Sequence, residues 1–253
     1  MIELRDVKTE YMQGKAFFFP AIRFEEGKIT TVIGRNGSGK STLLKTILGI
    51  RDYRGSIKID GDESRGLSAR IRARRVAYLP QTLKSVNIDV ETLVSHGRYP
   101  WQGYSRRMSS KDHEIIDRAL EITGMQDLKN RNLQGLSGGE RQRAYLAMVV
   151  AQNTPMILLD EPAAYLDMAV QRAFYRILKG LAGDGHGIVL VSHNIEQSLS
   201  YSDSICLIHD DTVKAACTPD ELVSNGSLLR EVFGATFRRG ADTDLLYPYV
   251  AVK

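Results

Sequence analysis

Cysteine is scarce in this chain of 253 residues, which contains only Cys206 and Cys217. Two cysteines are too few for a disulfide framework, and neither belongs to a C-x-x-C pair or to a His/Cys cluster. Cys206 lies within the apolar run of residues 205–208, so we expect it to be buried as a small hydrophobic side chain. This cysteine usage is typical of a reducing compartment.

Long apolar runs are also lacking, because no stretch approaches the roughly 18–20 residues that a membrane-spanning helix requires. The N-terminal residues alternate between apolar and charged types, which indicates a strand rather than a signal peptide. We therefore expect a soluble chain in the cytoplasm, which reaches the cytoplasmic side of a cell membrane only as a peripheral subunit held by another chain.

Charge of one sign is not in large excess, since 34 Lys and Arg residues against 30 Asp and Glu residues give a net charge of +4. Such a surplus is compatible with nucleic acid, a membrane surface or an anionic nucleotide, and does not select among them. Hydrophobic residues make up 43% of the chain, which is enough for a packed core. The length suits one large domain, or a core with a smaller lobe.

Strand and helix patterns alternate along the chain. Apolar alternation in residues 2–7, 17–24 and 29–33 predicts short strands, and a helical pattern follows over 41–48. Further strands are predicted at 56–61, 76–79, 156–159, 187–191 and 204–208, helices at 170–181 and 195–201, and a helical insertion over about 90–152. This order predicts an α/β fold with a mainly parallel sheet and helices on both faces.

Residues 34–42 match the P-loop pattern G-x-x-x-x-G-K-[ST]. Glycines let the backbone wrap closely around a phosphate, and the helix that starts after Gly39 adds the positive end of its dipole. Lys40 is predicted to reach the β- and γ-phosphates, and the Ser41 hydroxyl to ligate Mg²⁺. The pattern predicts a site for Mg-ATP formed by Gly34, Asn36, Gly37, Ser38, Gly39, Lys40, Ser41 and Thr42.

Two adjacent carboxylates, Asp160 and Glu161, end the apolar strand of residues 157–159. A buried strand rarely ends in two acids unless something offsets their desolvation, and a bound metal ion does so. We therefore predict that Asp160 holds Mg²⁺ through a water molecule. Glu161 is predicted to point to the other side of the chain and to activate the water that attacks the γ-phosphate.

A second helix start, within residues 136–143, has the pattern of a capping box, with Ser137 at the N-cap and Glu140 three residues later. Gly138 and Gly139 leave the N-terminus of this helix open to an anion. A second anion-binding helix end, far in sequence from the P-loop, is therefore predicted.

Together these motifs resemble those of the ATP-binding cassette (ABC) ATPases over nearly the whole chain. The resemblance implies a P-loop NTPase (RecA-like) core with an N-terminal antiparallel β subdomain and an inserted α-helical subdomain. It implies a single domain over 1–253, with the core and β subdomain in 1–82 and 156–253 and the helical subdomain in 83–155. It also implies that a second copy of the chain presents Ser137, Gly138, Gly139 and Glu140 to the ATP, so that two chains sandwich two ATP molecules head to tail.

Further roles implied by the resemblance fall on residues scattered along the chain. They are Tyr11 for stacking on adenine, Gln81 for contacting Mg²⁺ and the attacking water, Asp167 at the dimer interface and His193 for contacting the γ-phosphate. For Tyr11 the alternative is an aromatic side chain in the core. The chain departs from the family pattern at Ala164, where a hydroxyl residue is usual, and at Asn194, where Asp is usual.

Residues 94–101 are similar to a G-R-x-P segment of one subgroup of these ATPases, which powers importers of ferric siderophores, haem and cobalamin. The similarity implies transmembrane permease subunits as partners and, indirectly, an extracytoplasmic substrate-binding protein. Arg98, Tyr99 and Trp101 are candidates for lining the groove that receives a helix of the membrane subunit. Alternatively, Tyr99 and Trp101 pack inside the helical lobe and Arg98 is solvated.

Two other functions compete with transport. One is a soluble ABC-type ATPase in iron–sulfur assembly, translation or DNA repair, although the insertion is too short for the long coiled coil of the repair members. The other is a nucleotide-binding regulatory module without turnover, which the presence of Glu161, Gln81 and His193 disfavours. The arginines between residues 70 and 75 are more typical of the solvated face of a short helix than of a nucleic-acid site, so we expect no nucleic-acid partner.

Overall fold

The computed structural model describes residues 1–10, 16–103, 107–163, 166–240 and 249–252. Its strands are β1 (Ile2–Glu10), β2 (Ala16–Phe19), β3 (Ile22–Phe24), β4 (Ile29–Gly34), β5 (Arg54–Ile59), β6 (Asp62–Glu63), β7 (Val76–Leu79), β8 (Met156–Asp160), β9 (Gly187–Val191), β10 (Ser204–His209), β11 (Thr212–Cys217), β12 (Thr236–Arg239) and β13 (Tyr249–Val252). Its helices are α1 (Lys40–Ile47), α2 (Ala69–Arg75), α3 (Val90–Ser95), α4 (Ser110–Ile122), α5 (Gly138–Ala151), α6 (Met168–Gly183), α7 (Ile195–Tyr201), α8 (Pro219–Ser224) and α9 (Gly226–Phe233).

In the described residues, one sheet of eleven strands runs through the molecule in the order β6-β5-β1-β2-β11-β10-β4-β9-β8-β7, with β3 paired to β1. Strands β10, β4, β9, β8 and β7 are parallel neighbours. Strand β1 pairs antiparallel with β2, β3 and β5. The α/β fold with an antiparallel N-terminal part is thus confirmed, and the hydrogen bonding is continuous between the two parts through β11 and β2.

Strands β4, β8 and β9, in the middle of the parallel part, are buried along their whole length, as sequences rich in Val, Ile and Leu permit when helices cover both faces. Because the carboxyl ends of parallel strands meet at one edge, the loops that follow β4, β7, β8 and β9 lie together there. Helices α3 and α4 pack on α5 within the helical insertion. Cys206, in β10, is buried as expected.

The arginines of α2 form a solvated face only in part: Arg70 is exposed, as predicted, whereas Arg72, Arg74 and Arg75 are half-buried. Their guanidinium groups donate to main-chain carbonyl oxygens near the ends of neighbouring elements. The acceptors are Pro100 for Arg70 and Arg74, Leu48 and Leu67 for Arg72, and Ile59 for Arg75. Helix α2 therefore ties the sheet to the turn of residues 96–101.

Arg98 is only 5% exposed, so the interpretation of Arg98 as a solvated side chain was wrong. Its Nε donates to Asp112 at 2.8 Å and its Nη1 to the carbonyl of Ala151 at 2.8 Å. Tyr99 and Trp101, by contrast, are 56% and 38% exposed. Arg98 thus anchors the segment from inside and leaves the two aromatic side chains on the surface.

Candidate active site

The P-loop follows β4 and turns into α1 through Gly39, which has a φ of 102°. A Cβ at this position would lie 2.5 Å from the ring of Phe17, so only glycine fits both the conformation and the space. The loop is therefore held against the first strands of the sheet. Asn36 and Gly37 are exposed, whereas Ser38, Lys40 and Thr42 are buried.

Lys40 is buried, and its Nζ donates to the carbonyl oxygens of Gly34 at 2.9 Å and Arg35 at 3.1 Å. Burial lowers the pKa of Lys40, an effect that the carboxylates of Glu161 and Asp160 oppose. Among the described residues the buried hydroxyl of Ser38 has no hydrogen-bond partner. The Lys40 ammonium group, the glycine-rich loop around it and the unpartnered Ser38 hydroxyl together fit the phosphate groups of a bound nucleotide.

Asp160 ends β8 at 2% exposure and accepts two hydrogen bonds from hydroxyl groups. Ser41 Oγ donates to Oδ1 at 2.8 Å, and the Tyr78 hydroxyl donates to Oδ2 at 3.2 Å. Burial raises the pKa of Tyr78, and the carboxylate of Asp160 raises it further, so the phenol stays a neutral donor. A carboxylate and a hydroxyl beside a phosphate cradle are the oxygen ligands that Mg²⁺ prefers, and these residues fit that ion.

Glu161 adopts a φ of 49°, in the left-handed region that is uncommon for a residue with a side chain. This turn sends its carboxylate away from the partners of Asp160. Gln81 Nε2 donates to Glu161 Oε2 at 2.8 Å, and His193 Nδ1 lies 3.7 Å from the same oxygen. A strained backbone at a carboxylate between two polar side chains is typical of a catalytic position.

The predicted capping box is present at the start of α5. Ser137 Oγ accepts from the Glu140 amide at 3.3 Å, and Glu140 Oε2 accepts from the Ser137 amide at 2.8 Å. Hydrogen bonds from Ser137 lower the pKa of Glu140. Gly138 borders a cleft of about 460 Å³ that Gln81 and Glu161 also line, so this helix start faces the same region as the strand ends.

Not all predicted residues converge on the strand ends. Tyr11 and Ala164 lie outside the described residues. Asp167 caps α6, with Oδ1 accepting from the Val170 amide at 2.9 Å. Asn194 caps α7 by accepting from the Gln197 amide at 3.0 Å, a role that Asp would also perform, so the departure keeps the cap.

The sequence pattern did not reveal Tyr78 as a partner of Asp160, although its place two residues before Pro80 was a usable signal. It also gave no reason to single out Gln171 or Gln197. Both glutamines border a small cavity beneath Glu161 and His193. Their polar side chains at otherwise ordinary helix positions are recognisable only once the two helices have been brought together.

The profile of the ABC transporter family matches residues 21–164, a span that contains the P-loop, Gln81, the capping box and both carboxylates. This chain belongs to the ABC transporter family. It is an ATP-binding protein and an ATPase of that family, and the predicted fold class is confirmed. No helix in the described ranges combines the length and the apolarity needed to cross a membrane.

Several ABC transporter ATP-binding proteins are similar over most of their length. The petrobactin import ATP-binding protein FpuD of Bacillus anthracis is 39% identical over 84% of this chain and 78% of its own. The iron(3+)-hydroxamate import ATP-binding protein FhuC of Bacillus subtilis (strain 168) is 39% identical over 84% of this chain and 80% of its own. The hemin import ATP-binding protein HmuV of Chelativorans sp. (strain BNC1) is 35% identical over 99% and 97%.

Solved structures of ABC transporter proteins share the fold. A metal-chelate type ABC transporter in an inward-facing conformation has a TM-score of 0.85 at 24% identity, covering 100% of this chain and 97% of that chain. A bacterial ABC transporter cassette solved as a dimer has a TM-score of 0.74 at 25% identity, covering 87% and 99%. The same cassette was also solved as a dimer with ADP and Pi.

Proposed function

We propose that this chain is the ATP-hydrolysing subunit of an importer for a ferric siderophore or a related metal chelate such as haem or cobalamin. The relatives described above are named as ATP-binding proteins for the import of petrobactin, iron(3+)-hydroxamate and hemin, which supports this substrate class. The observation that carries the catalytic part is the divergence of Asp160 and Glu161, one bonded to the Ser41 hydroxyl and the other to Gln81.

In this proposal the P-loop binds the phosphates of ATP. Lys40 gives up its two carbonyl acceptors and pairs with phosphate oxygens, while the Ser38 hydroxyl gains a partner. Ser41 and Asp160 hold Mg²⁺, with Gln81 as a further ligand. When bound, this ion neutralises charge on the β- and γ-phosphate oxygens.

Glu161 is the proposed general base. Its Oε2 accepts a proton from the attacking water, while Gln81 keeps the carboxylate in place by its hydrogen bond. His193 is proposed to contact the γ-phosphate from the other side of that carboxylate. The segments that follow β7, β8 and β9 thus supply Gln81, Glu161 and His193, which are proposed to act together in hydrolysing the bond to the γ-phosphate.

The N-terminus of α5 is proposed to serve a second copy of the chain. Ser137, Gly138, Gly139 and Glu140 would approach the γ-phosphate held by the P-loop of that copy, and the solved dimers of a related cassette support such a pairing. Asp167 and the proposed adenine contact, Tyr11, belong to the same arrangement. Closure on ATP and opening after hydrolysis then move the attached subunits.

The proposed docking surface for the permease is the groove beside Tyr99. This groove, of about 790 Å³, lies between α2 and the segment of residues 96–103, with Arg70, Tyr99 and Met108 in its walls. An exposed aromatic side chain next to guanidinium groups suits a short amphipathic helix of a transmembrane chain. Docking there would hold the subunit at the cytoplasmic side of the membrane.

Uptake of a panel of radiolabelled chelates tests the function in cells that express the chain together with the permease and the substrate-binding protein of the importer. Uptake of a ferric siderophore, haem or cobalamin by the wild type, but not by Lys40→Ala, is the expected result. A complex that hydrolyses ATP and accumulates none of these chelates would refute the substrate class.

The docking surface has its own test, in which Tyr99→Glu is co-expressed with the permease. We expect the variant to lose co-purification with the permease and to keep the unfolding temperature and basal ATPase rate of the wild type. Normal co-purification would refute the proposed surface without touching the catalytic assignment.

A further inference from the structure

Two glutamines that no catalytic role has yet used lie beneath the proposed site. Gln171 is half-buried in the first turns of α6, and Gln197 is 3% exposed in the first turn of α7. Helix α6 begins at Met168, seven residues after Glu161, and α7 begins at Ile195, two residues after His193. The two side chains therefore lie near the starts of the helices that follow the proposed catalytic residues in sequence.

The Gln171 side-chain amide bonds to the main chain that follows Glu161. Its Nε2 donates to the carbonyl oxygen of Ala163 at 3.0 Å and to that of Leu166 at 2.9 Å. Both hydrogens of the NH₂ group are thereby used, which fixes the orientation of the amide and directs its oxygen the other way.

The oxygen of Gln171 accepts a hydrogen bond from Nε2 of Gln197. The main chain of Gln197 in turn donates to the Asn194 side chain at 3.0 Å, and the Asn194 amide donates to Ser192 Oγ at 3.1 Å. Ser192 and Asn194 flank His193 directly. Hydrogen bonds, linked through the covalent structure of Gln197 and Asn194, therefore connect Ala163 and Leu166 with the residues on both sides of His193.

The two glutamines border a cavity of about 30 Å³, and Glu161 and His193 also lie in its walls. The cavity separates the underside of the proposed catalytic pair from the apolar packing around Tyr175. Gln171 and Gln197 thus lie directly beside the proposed catalytic pair. Because the Gln171 amide bonds both to the main chain at Ala163 and Leu166 and to the Gln197 side chain, a displacement of one partner strains the bond to the other.

We propose that Gln171 is a positioning residue that couples the main chain at Ala163 and Leu166 to His193 through Gln197. Contact of a second copy at Asp167, next to Leu166, then sets the position of His193 relative to Glu161. The proposal rests on the proposed catalytic role of Glu161, and on Asp167 lying at the interface between copies. Gln171 itself touches neither nucleotide nor the attacking water.

Steady-state kinetics of the purified full chain test this coupling in Gln171→Met, Gln197→Met and the double variant. Methionine keeps the length of the side chain and removes every hydrogen bond. We expect kcat for ATP to fall about 10- to 100-fold in each single variant, since small misplacements of catalytic groups have effects of that size, with KM nearly unchanged. The double variant should be no slower than the slower single variant, because both break one connection.

Gln152→Met is the matched control. The Gln152 amide also donates to two main-chain carbonyls, those of Ala73 at 2.6 Å and Val76 at 3.2 Å, but it does so at the end of α5, away from Glu161. It should lower the unfolding temperature by a similar amount and leave kcat unchanged. If Gln171→Met is too unstable to purify, Gln197→Met decides, because it removes the bond between the two helices and leaves both bonds of Gln171 to the main chain in place.

Unchanged kcat in Gln197→Met, or losses that multiply in the double variant, would overturn the coupling. A parallel drop in kcat for Gln152→Met would also overturn it, since loss of stability would then suffice. Glu161→Gln is measured alongside: normal hydrolysis by that variant would instead sink the proposed function. The two failures are thus distinguishable.

Discussion

Gln81 donates a hydrogen bond from Nε2 to Oε2 of Glu161 over 2.8 Å and so joins the ends of two neighbouring strands, β7 and β8. Gln81 also begins the segment that leads into the helical insertion. The residue proposed to activate water is therefore held by the residue through which the helical insertion is connected to the sheet. Glu161 and the start of the helical insertion are thus joined by one hydrogen bond.

Replacing Glu161 by Gln removes the proton acceptor and keeps the size of the side chain. We expect the single-turnover rate of ATP hydrolysis to fall about 100- to 10,000-fold, the usual contribution of general base catalysis. ATP should still bind, and a dimer with ATP should accumulate in size-exclusion chromatography. Hydrolysis at the wild-type rate would show that another group accepts the proton.

Replacing Ser41 by Ala removes the hydroxyl that bonds to Asp160. We expect the Mg²⁺ concentration for half-maximal ATPase activity to rise about 10-fold or more, since changes around metal ligands have effects of this size. Thr46→Val is the control, because the Thr46 hydroxyl bonds to the Thr42 carbonyl at 2.7 Å within the same helix. It should cost about 1 kcal/mol of stability and leave the Mg²⁺ requirement unchanged.

Replacing Ser137 by Ala opens the capping box of α5. We expect a loss of about 1 kcal/mol in the free energy of unfolding, together with loss of ATP-driven dimerisation in the Glu161→Gln background. Thr218→Ala removes an equivalent capping box, from Thr218 and Glu221 in α8. That control should lose similar stability and still dimerise; equal dimerisation by both variants would count against a role for α5 in trans.

Replacing Asp112 by Asn leaves Arg98 buried without an anionic partner. We expect the variant to lose about 3 kcal/mol or more in the free energy of unfolding at neutral pH. The exposed pair of Arg118 and Asp184, at 3.4 Å, offers a contrast, and Asp184→Asn should cost little. Chemical denaturation monitored by circular dichroism measures both.

The same pair predicts a pH dependence. Burial alone would raise the pKa of Asp112, but hydrogen bonds from Ser109 and Arg98 outweigh it and lower the pKa to about 2. Since the folded pKa lies below the unfolded value of about 3.9, the stabilisation is fully present above pH 4. The stability difference between wild type and Asp112→Asn should therefore shrink as the pH falls from 4 towards 2, and a constant difference would contradict this assignment.

The strands and the phosphate loop could be predicted because local pattern determines them. Strand β9 has the predicted bounds, and α1 starts one residue earlier than expected, at Lys40. Arg98 could not be predicted, because its burial depends on Asp112 and Ala151, which are 14 and 53 residues away in sequence. The acceptors of the α2 arginines could not be predicted for the same reason, because a charged side chain with no visible partner in sequence can bond to main-chain carbonyls that come close only in the fold.

The site shows the same division. The adjacent acids at 160 and 161 were recognisable, but the left-handed backbone that separates their directions was not, because glutamate carries no sequence signal for that conformation. A glycine in the phosphate loop indicates from the sequence that a left-handed backbone is possible there, whereas a glutamate at 161 does not. The catalytic assignments stay predictions until the substitutions above are measured.

The buried anchor of Arg98 has a consequence for engineering partner choice. The conformation of the exposed segment at 99–101 depends on Arg98, which is buried beneath it and bonded to Asp112 of α4 and to Ala151 at the end of α5. A partner bound at the surface would not contact Arg98 itself. Grafting only the exposed side chains onto a homologous protein would therefore transfer Tyr99 and Trp101 without the buried contacts that fix the conformation of their segment. To keep the surface intact, such a graft must also include the parts of α4 and α5 that hold Arg98.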